Sequence, residues 1–240
     1  MRGAFTLLEL VFGIAILGLF MFFALPSKSY LSVSHITLNN AATHALSYIR
    51  YTQHLALNDS LEFASTEETN TLVKMHPSIS PDKLLEKHKN FWQIQFHQSG
   101  IYTPSSFSVY FDTPRFSLTT DRDNQPSVGD IIATSGKNKR CLSGYSNVNI
   151  SIECRNNAEI TVRLGEYFGI DFISLDSNLH CQEMGTFRVK FDKFGMPYCG
   201  KTALSLNAPL KITLHKNNSQ KSICILPKTG YAFISRNGAC

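Results

Sequence analysis

Residues Phe5 to Leu25, FTLLELVFGIAILGLFMFFAL, form a run of 21 nearly all-apolar positions. At about 1.5 Å rise per residue, a helix of that length just crosses a bilayer core of about 30 Å. Beyond it the spacing of apolar positions drops to three and four. Leu38, Ala42, Ala45, Ile49, Thr52 and Ala56 recur on one face, with Leu46, Gln53 and Leu57 one position over, so 26–60 is predicted to continue the helix as an amphipathic stretch that docks on a sheet. Pro26 has no amide proton to donate and bends or interrupts the junction. Asn39-Asn40 loosens the middle, and Asn58-Asp59-Ser60 ends the helix.

Residues 61–90 are polar, with a short helix predicted where Ser80 caps, Pro81 takes the first helical position and Asp82 sits in the first turn. The period then changes to two. Trp92, Ile94 and Phe96 alternate with Gln93 and Gln95, and Phe107, Val109 and Phe111 with Ser108 and Tyr110, which predicts strands with one buried face and Trp92 in the core. From Val148 onward the runs VNISI, EITVRL, FISL, FRVKF, LKITL, SICIL and YAFI read as strands, with turns at Asp192–Gly195, Asn217–Ser219 and Lys228–Gly230. The expected architecture is α+β. A long N-terminal helix, membrane part 5–25 plus amphipathic part 26–60, packs on an antiparallel β-sheet within a globular domain 61–240 that ends in a β-meander.

Composition is that of a folded domain, 43% hydrophobic and 17% charged. Arg2 ahead of the apolar run favours an amino terminus in the cytoplasm, which puts everything after Pro26 across the membrane. Six cysteines without a C-x-x-C spacing suit an oxidising compartment better than zinc or thioredoxin-like chemistry. Their order suggests the local pairs Cys141 with Cys154, Cys181 with Cys199, and Cys224 with Cys240. Six cysteines allow 15 connectivities, and several buried free thiols are the competing arrangement.

Glu9, the one carboxylate inside the apolar run, needs a reason, because a charge within a membrane segment costs about 2.5 kcal/mol or more. An ordinary cleaved secretory signal has a shorter apolar core and an A-x-A-like site, and Ala24-Leu25-Pro26 supplies none. A plain signal anchor leaves Glu9 unexplained. Ala4-Phe5-Thr6-Leu7-Leu8-Glu9, behind Met1-Arg2-Gly3, resembles the class III signal of type IV pilins and pseudopilins. That resemblance implies a leader 1–4, cleavage between Ala4 and Phe5 by a prepilin peptidase, N-methylation of Phe5, and Glu9 as fifth mature residue, pairing with the amine of a neighbouring subunit during assembly. The family usually has Gly where Ala4 stands. Pro26 falls where pilin-like helices commonly carry a proline. Tyr48–Ala56, YIRYTQHLA, is similar to helices of pseudopilin-type proteins, and FDKFGMP, LKITL, SICIL and TGYAFI resemble the carboxyl half of the GspH/FimT branch of minor pseudopilins.

The resemblance implies a filament subunit of a type II secretion or type IV pilus-like system, in the inner membrane with its carboxy-terminal domain in the periplasm. Its partners are other pilin or pseudopilin subunits and the prepilin peptidase, and its cargo is secreted protein or DNA. A solitary anchored binding protein is the alternative that keeps Met1 to Ala4. Enzyme signatures are missing: there is no G-x-S-x-G, Walker loop, H-E-x-x-H or dinucleotide fingerprint, and Glu67-Glu68 lies in a polar loop. No cofactor or metal is expected. Asp121, Asp123, Asn124 and Asp130 offer oxygen ligands, but Gln125-Pro126 breaks the EF-hand spacing, and His44 and His54 are off one another's helical face. Residues 193–240 carry six lysines and one arginine and no acid. Lys211, Lys216, Lys221, Lys228 and Arg236 are thereby candidate contacts to a DNA backbone, although Gly230-Tyr231-Ala232-Phe233 stands where DNA-binding relatives carry a Gly-Arg-x-Arg-like signature. Lysines on strand faces also protect sheet edges.

Overall fold

The computed structural model describes residues 11–16, 30–62, 92–99, 103–112, 124–128, 130–144 and 150–240. The chain divides into two compact units, Met1–Ile36 and Thr37–Cys240. In the first, residues 11–16 are helical and expose Val11, Phe12, Ile14 and Ile16. Ala4, Phe5, Glu9 and Pro26 lie outside the described residues, as do Glu67, Glu68, Ser80–Asp82, Asp121 and Asp123.

Helix α1 spans Tyr30–Glu62, and its part from Thr37 onward belongs to the second unit. Leu38, Ala42, Ala45, Ile49, Thr52 and Ala56 are all buried. Four of these positions and Ala41 are Ala or Thr, so the helix backbone can lie close to its neighbours. The rest is mostly β, in two antiparallel sheets. One has the order β3-β2-β1-β5-β6-β7 and the other β10-β9-β8-β4. The strands are β1 (Trp92–His97), β2 (Ser106–Phe111), β3 (Ile131–Ile132), β4 (Phe172–Leu175), β5 (Thr186–Phe191), β6 (Pro197–Cys199), β7 (Leu204–Ser205), β8 (Leu210–Lys216), β9 (Ser219–Ile225) and β10 (Ala232–Ile234).

These findings correct the expected α+β architecture of one long helix with a membrane part on a single sheet. Among the described residues there are two sheets, and no helix is long and apolar enough to cross a membrane. The strands after residue 148 do not form one meander. β5, β6 and β7 join β1 and β2, while β4 pairs with β8. Two further runs predicted as strands form no strand among the described residues. In the first, Ser151 caps a short helix α2 (Ile152–Asn156) by accepting from the Cys154 amide. In EITVRL, Glu159 caps a single 3-10 turn, followed by α3 (Leu164–Phe168), which stops at Gly169 in the left-handed region at φ 68°.

Cross-strand register explains the core. Trp92 faces Phe111 and Phe191, Ile94 faces Val109 and Val189, and Phe96 faces Phe107 and Phe187. Three apolar rows therefore run across three strands. They share one cluster with α1 and with Ile173, Leu175, Ile212, Leu214, Ile223 and Ile225 of the second sheet.

The alternating residues of β1, β2 and β5 are buried as well: Gln93, Gln95, His97, Ser106, Ser108, Tyr110, Thr186, Arg188 and Lys190. Burial of a polar face is tolerable when its groups find partners. Arg188 donates to both Glu183 carboxylate oxygens at 2.7 and 2.6 Å, to Tyr110 Oη at 3.2 Å and to the Asn124 carbonyl at 2.7 Å. Tyr110 donates to Gln95 at 2.8 Å, Lys190 reaches Asn124 Oδ1 and the Lys201 carbonyl, and His97 Nε2 bonds Ser108 at 2.8 Å.

All six cysteines are oxidised, Cys141 to Cys154, Cys181 to Cys199 and Cys224 to Cys240. The local pairing is the one present.

Candidate binding surface

The five basic residues singled out from the sequence do not share a face. Residues directly opposite across an antiparallel pair point to the same side of a sheet. Lys211 lies opposite Cys224, while Lys221 lies opposite Leu214, which belongs to the core row. Lys211 and Lys221 therefore project to opposite sides. Lys211 pairs with Asp176 at 3.6 Å. Lys216 is a structural clasp: its ammonium donates to Thr37 Oγ1 at 2.8 Å and to the Phe168 carbonyl at 2.6 Å. Lys228 and Arg236 are exposed, one in the turn before β10 and the other after that strand.

The outward side of the β4-β8-β9-β10 sheet gathers the residue types of a hydrolase. Ser174 Oγ lies 2.9 Å from His215 Nε2 and donates to Asp176 Oδ1 at 2.6 Å. Thr213 Oγ1 donates to the other Asp176 oxygen and meets Ser222 Oγ at 2.9 Å, and the Phe172 ring stacks on His215 at 4.0 Å. The order of bonds is wrong for nucleophile activation, which needs the imidazole between serine and carboxylate. Here the Ser174 proton is turned toward Asp176. Burial would raise the pKa of that carboxyl, but hydrogen bonds from Ser174 and Thr213 and the charges of Lys211 and His215 hold it below the ordinary value, making it a weak base. Burial pushes the His215 pKa down, helped by Lys211, against Asp176 and Asp171. The cluster ties β4 to β8.

His180 Nε2 is 4.0 Å from Cys199 Sγ, and His180, Cys181 and Cys199 form the group among the described residues close enough to share a metal ion. Both sulfurs are bonded to each other, so neither thiolate is available as a ligand. Asn124 and Asp130 of the acidic loop serve the backbone and the buried polar layer. Asn124 accepts from Arg188 and Lys190, and Asp130 Oδ2 accepts from the Ser127 amide at 2.8 Å. His44 is half-buried against Tyr48, Phe107 and Phe168, and that burial lowers its pKa against the opposing pull of Glu159 and Thr161. His54 is exposed, beside Asn58.

One exposed feature escaped the sequence reading. The Asp192–Met196 and Leu226–Gly230 turns are bridged by one side chain: Gln53 Nε2 of α1 donates to the Gly195 and Thr229 carbonyls, both at 2.9 Å. A Cβ on Gly195 would sit 3.3 Å from Leu57 Cδ2, so Leu57 borders the first turn. Arg50, one helical turn before Gln53, donates twice to the Ala232 carbonyl, at 3.1 and 2.7 Å, and lies 5.7 Å from the Tyr231 ring centre. Its visible signals were Phe194 at the tip of a turn and Tyr231 just after Gly230. What brings the two turns together is tertiary. No known family model, curated protein or solved structure matches the chain.

Proposed function

We propose that this chain is a minor pseudopilin-like subunit of a periplasmic filament, of the kind that serves type II secretion or pilus-type DNA uptake. It is held in the inner membrane by Phe5–Leu25 and joins its filament through Glu9. The observation that carries this reading is the sequence Ala4-Phe5-Thr6-Leu7-Leu8-Glu9, a lone carboxylate near the start of a membrane-length apolar run. A buried charge persists where a partner compensates it, and leaving one unmatched costs about 3–5 kcal/mol. Three disulfides with no free cysteine support a domain folded in an oxidising compartment.

Direct DNA reception by the candidate lysines draws no support from their placement, since Lys211 and Lys216 are committed to Asp176, Thr37 and Phe168. The test is mass spectrometry of the amino-terminal peptide from cells with and without an active prepilin peptidase. The expected product in the first is a chain beginning at Phe5 and bearing one methyl group, and in the second a chain that retains Met1–Ala4. Retention of Met1–Ala4 alongside an active peptidase overturns the proposal in favour of a plain anchor.

A further inference from the structure

Around the Gln53-bridged turns the surface is apolar and basic. Phe194 is 71% exposed, Tyr231 56%, Leu57 43% and Met196 38%, four large apolar side chains on or beside the two turns, the kind of exposed cluster that marks an interaction surface. Lys193, Lys228 and Arg50 are exposed among them. The acid of the first turn, Asp192, is used internally. Its Oδ1 accepts from the Phe194 and Met196 amides at 2.9 Å each, and its Oδ2 accepts from Tyr198 at 3.2 Å.

We infer that the paired turns and the adjoining face of α1 form a docking surface for an acidic protein segment that carries apolar anchor residues. Charge complementarity selects an anionic partner, because Lys193, Lys228 and Arg50 stand here against a single carboxylate among the described side chains of the two turns and of α1 from Arg50 to Asn58, that of Asp192, which is bonded within its own turn. The aliphatic Leu57 and Met196 select a partner with side chains to bury. A nucleic acid strand is less well served. Base stacking needs open aromatic faces, whereas Tyr231 already stacks on Phe233 at 5.9 Å and lies beneath Arg50, and Lys193 Nζ stands 5.2 Å from the Phe194 ring centre. The tie through Gln53 fixes both turns before any partner arrives, which spares part of the ordering entropy of binding. This inference rests on the second unit alone and stands apart from the amino-terminal signature.

The experiment uses the full chain in detergent micelles, titrated into fluorescein-labelled probes and read by anisotropy. The probes are a short peptide alternating Asp with Leu and Trp, the same peptide with Lys for Asp, the same with Ser for Leu and Trp, and oligothymidine. Only the first is expected to bind well. Phe194→Ser combined with Tyr231→Ser weakens it about tenfold or more, Lys193→Glu with Lys228→Glu weakens it and reduces its salt dependence, and Arg155→Glu, which reverses a charge outside the patch, leaves it unchanged. All four altered side chains of the patch are exposed, and intact disulfides with an unchanged circular dichroism spectrum confirm folding. Absence of binding by the acidic apolar peptide, equal binding by the patch variants, or binding of oligothymidine alone overturns the inference.

Discussion

Arg188 is the largest of the fully buried side chains among the described residues, and its environment is arranged to keep it charged. Burial opposes that charge, yet Tyr110, the hydrogen-bonded Glu183 and Asp112 hold its pKa above the ordinary value. Glu183→Gln strips the compensating charge while keeping the shape, and should destabilise the folded chain by about 3–5 kcal/mol in urea unfolding. A nearby His97 is fully buried, and desolvation followed by the Arg188 charge lowers its pKa to about 3. The unfolded chain then binds the proton that the folded chain refuses. The His97 contribution is fully present above pH about 6.5 and is lost as pH falls toward 3, at up to about 1.4 kcal/mol per pH unit. His97→Gln should flatten that slope in denaturation profiles measured between those limits, leaving the same-signed contributions of His44, His215, Glu159 and Asp176. None of this was legible in the sequence. Gln93, Gln95, Ser108 and Tyr110 alternate with apolar neighbours as residues facing water do, and the groups that meet them come from distant positions, Arg188 at Gln93 and Tyr110, and Ser143 and Gly144 at Ser108.

At the scale of elements, the spacing of Leu38, Ala42, Ala45, Ile49, Thr52 and Ala56 read correctly as a buried stripe because helical periodicity is a local property. EITVRL read as a strand and is not one, since the Glu159 side chain caps its own Thr161 amide, a short-range bond that competes with a strand ladder. The three turns at Asp192–Gly195, Asn217–Ser219 and Lys228–Gly230 were legible from their residue types, but the joining of two of them was not. Gln53→Ala leaves the Gly195 and Thr229 carbonyls without that donor, and an about 1–2 kcal/mol loss of stability is expected in thermal unfolding. Gly230 adds to the tightness of this junction. It sits at φ 66°, where side chains are rarely accommodated.

For the molecule as a whole, local pattern named most strands but could not divide them between sheets. Nothing within FRVKF announces that it pairs with WQIQFH and not with its sequence neighbour FISL. That choice is made when Phe187, Val189 and Phe191 complete the rows begun by Phe96, Ile94 and Trp92. Cysteine order, by contrast, pointed to the connectivity found, because the bridged cysteines lie only 13, 18 and 16 positions apart. The residues proposed for processing and assembly lie outside those the structure describes, so that reading continues to rest on the amino-terminal signature.

β1 is hydrogen-bonded on both edges and covered on both faces, so water reaches its amides only when the interior opens. In deuterium labelling followed by mass spectrometry, 92–97 should be the last segment to take up isotope, behind the longer β9, whose Gln220 is exposed. Its uptake rate is then a direct gauge of how often the entire domain comes apart, against which the opening of any other segment can be ranked.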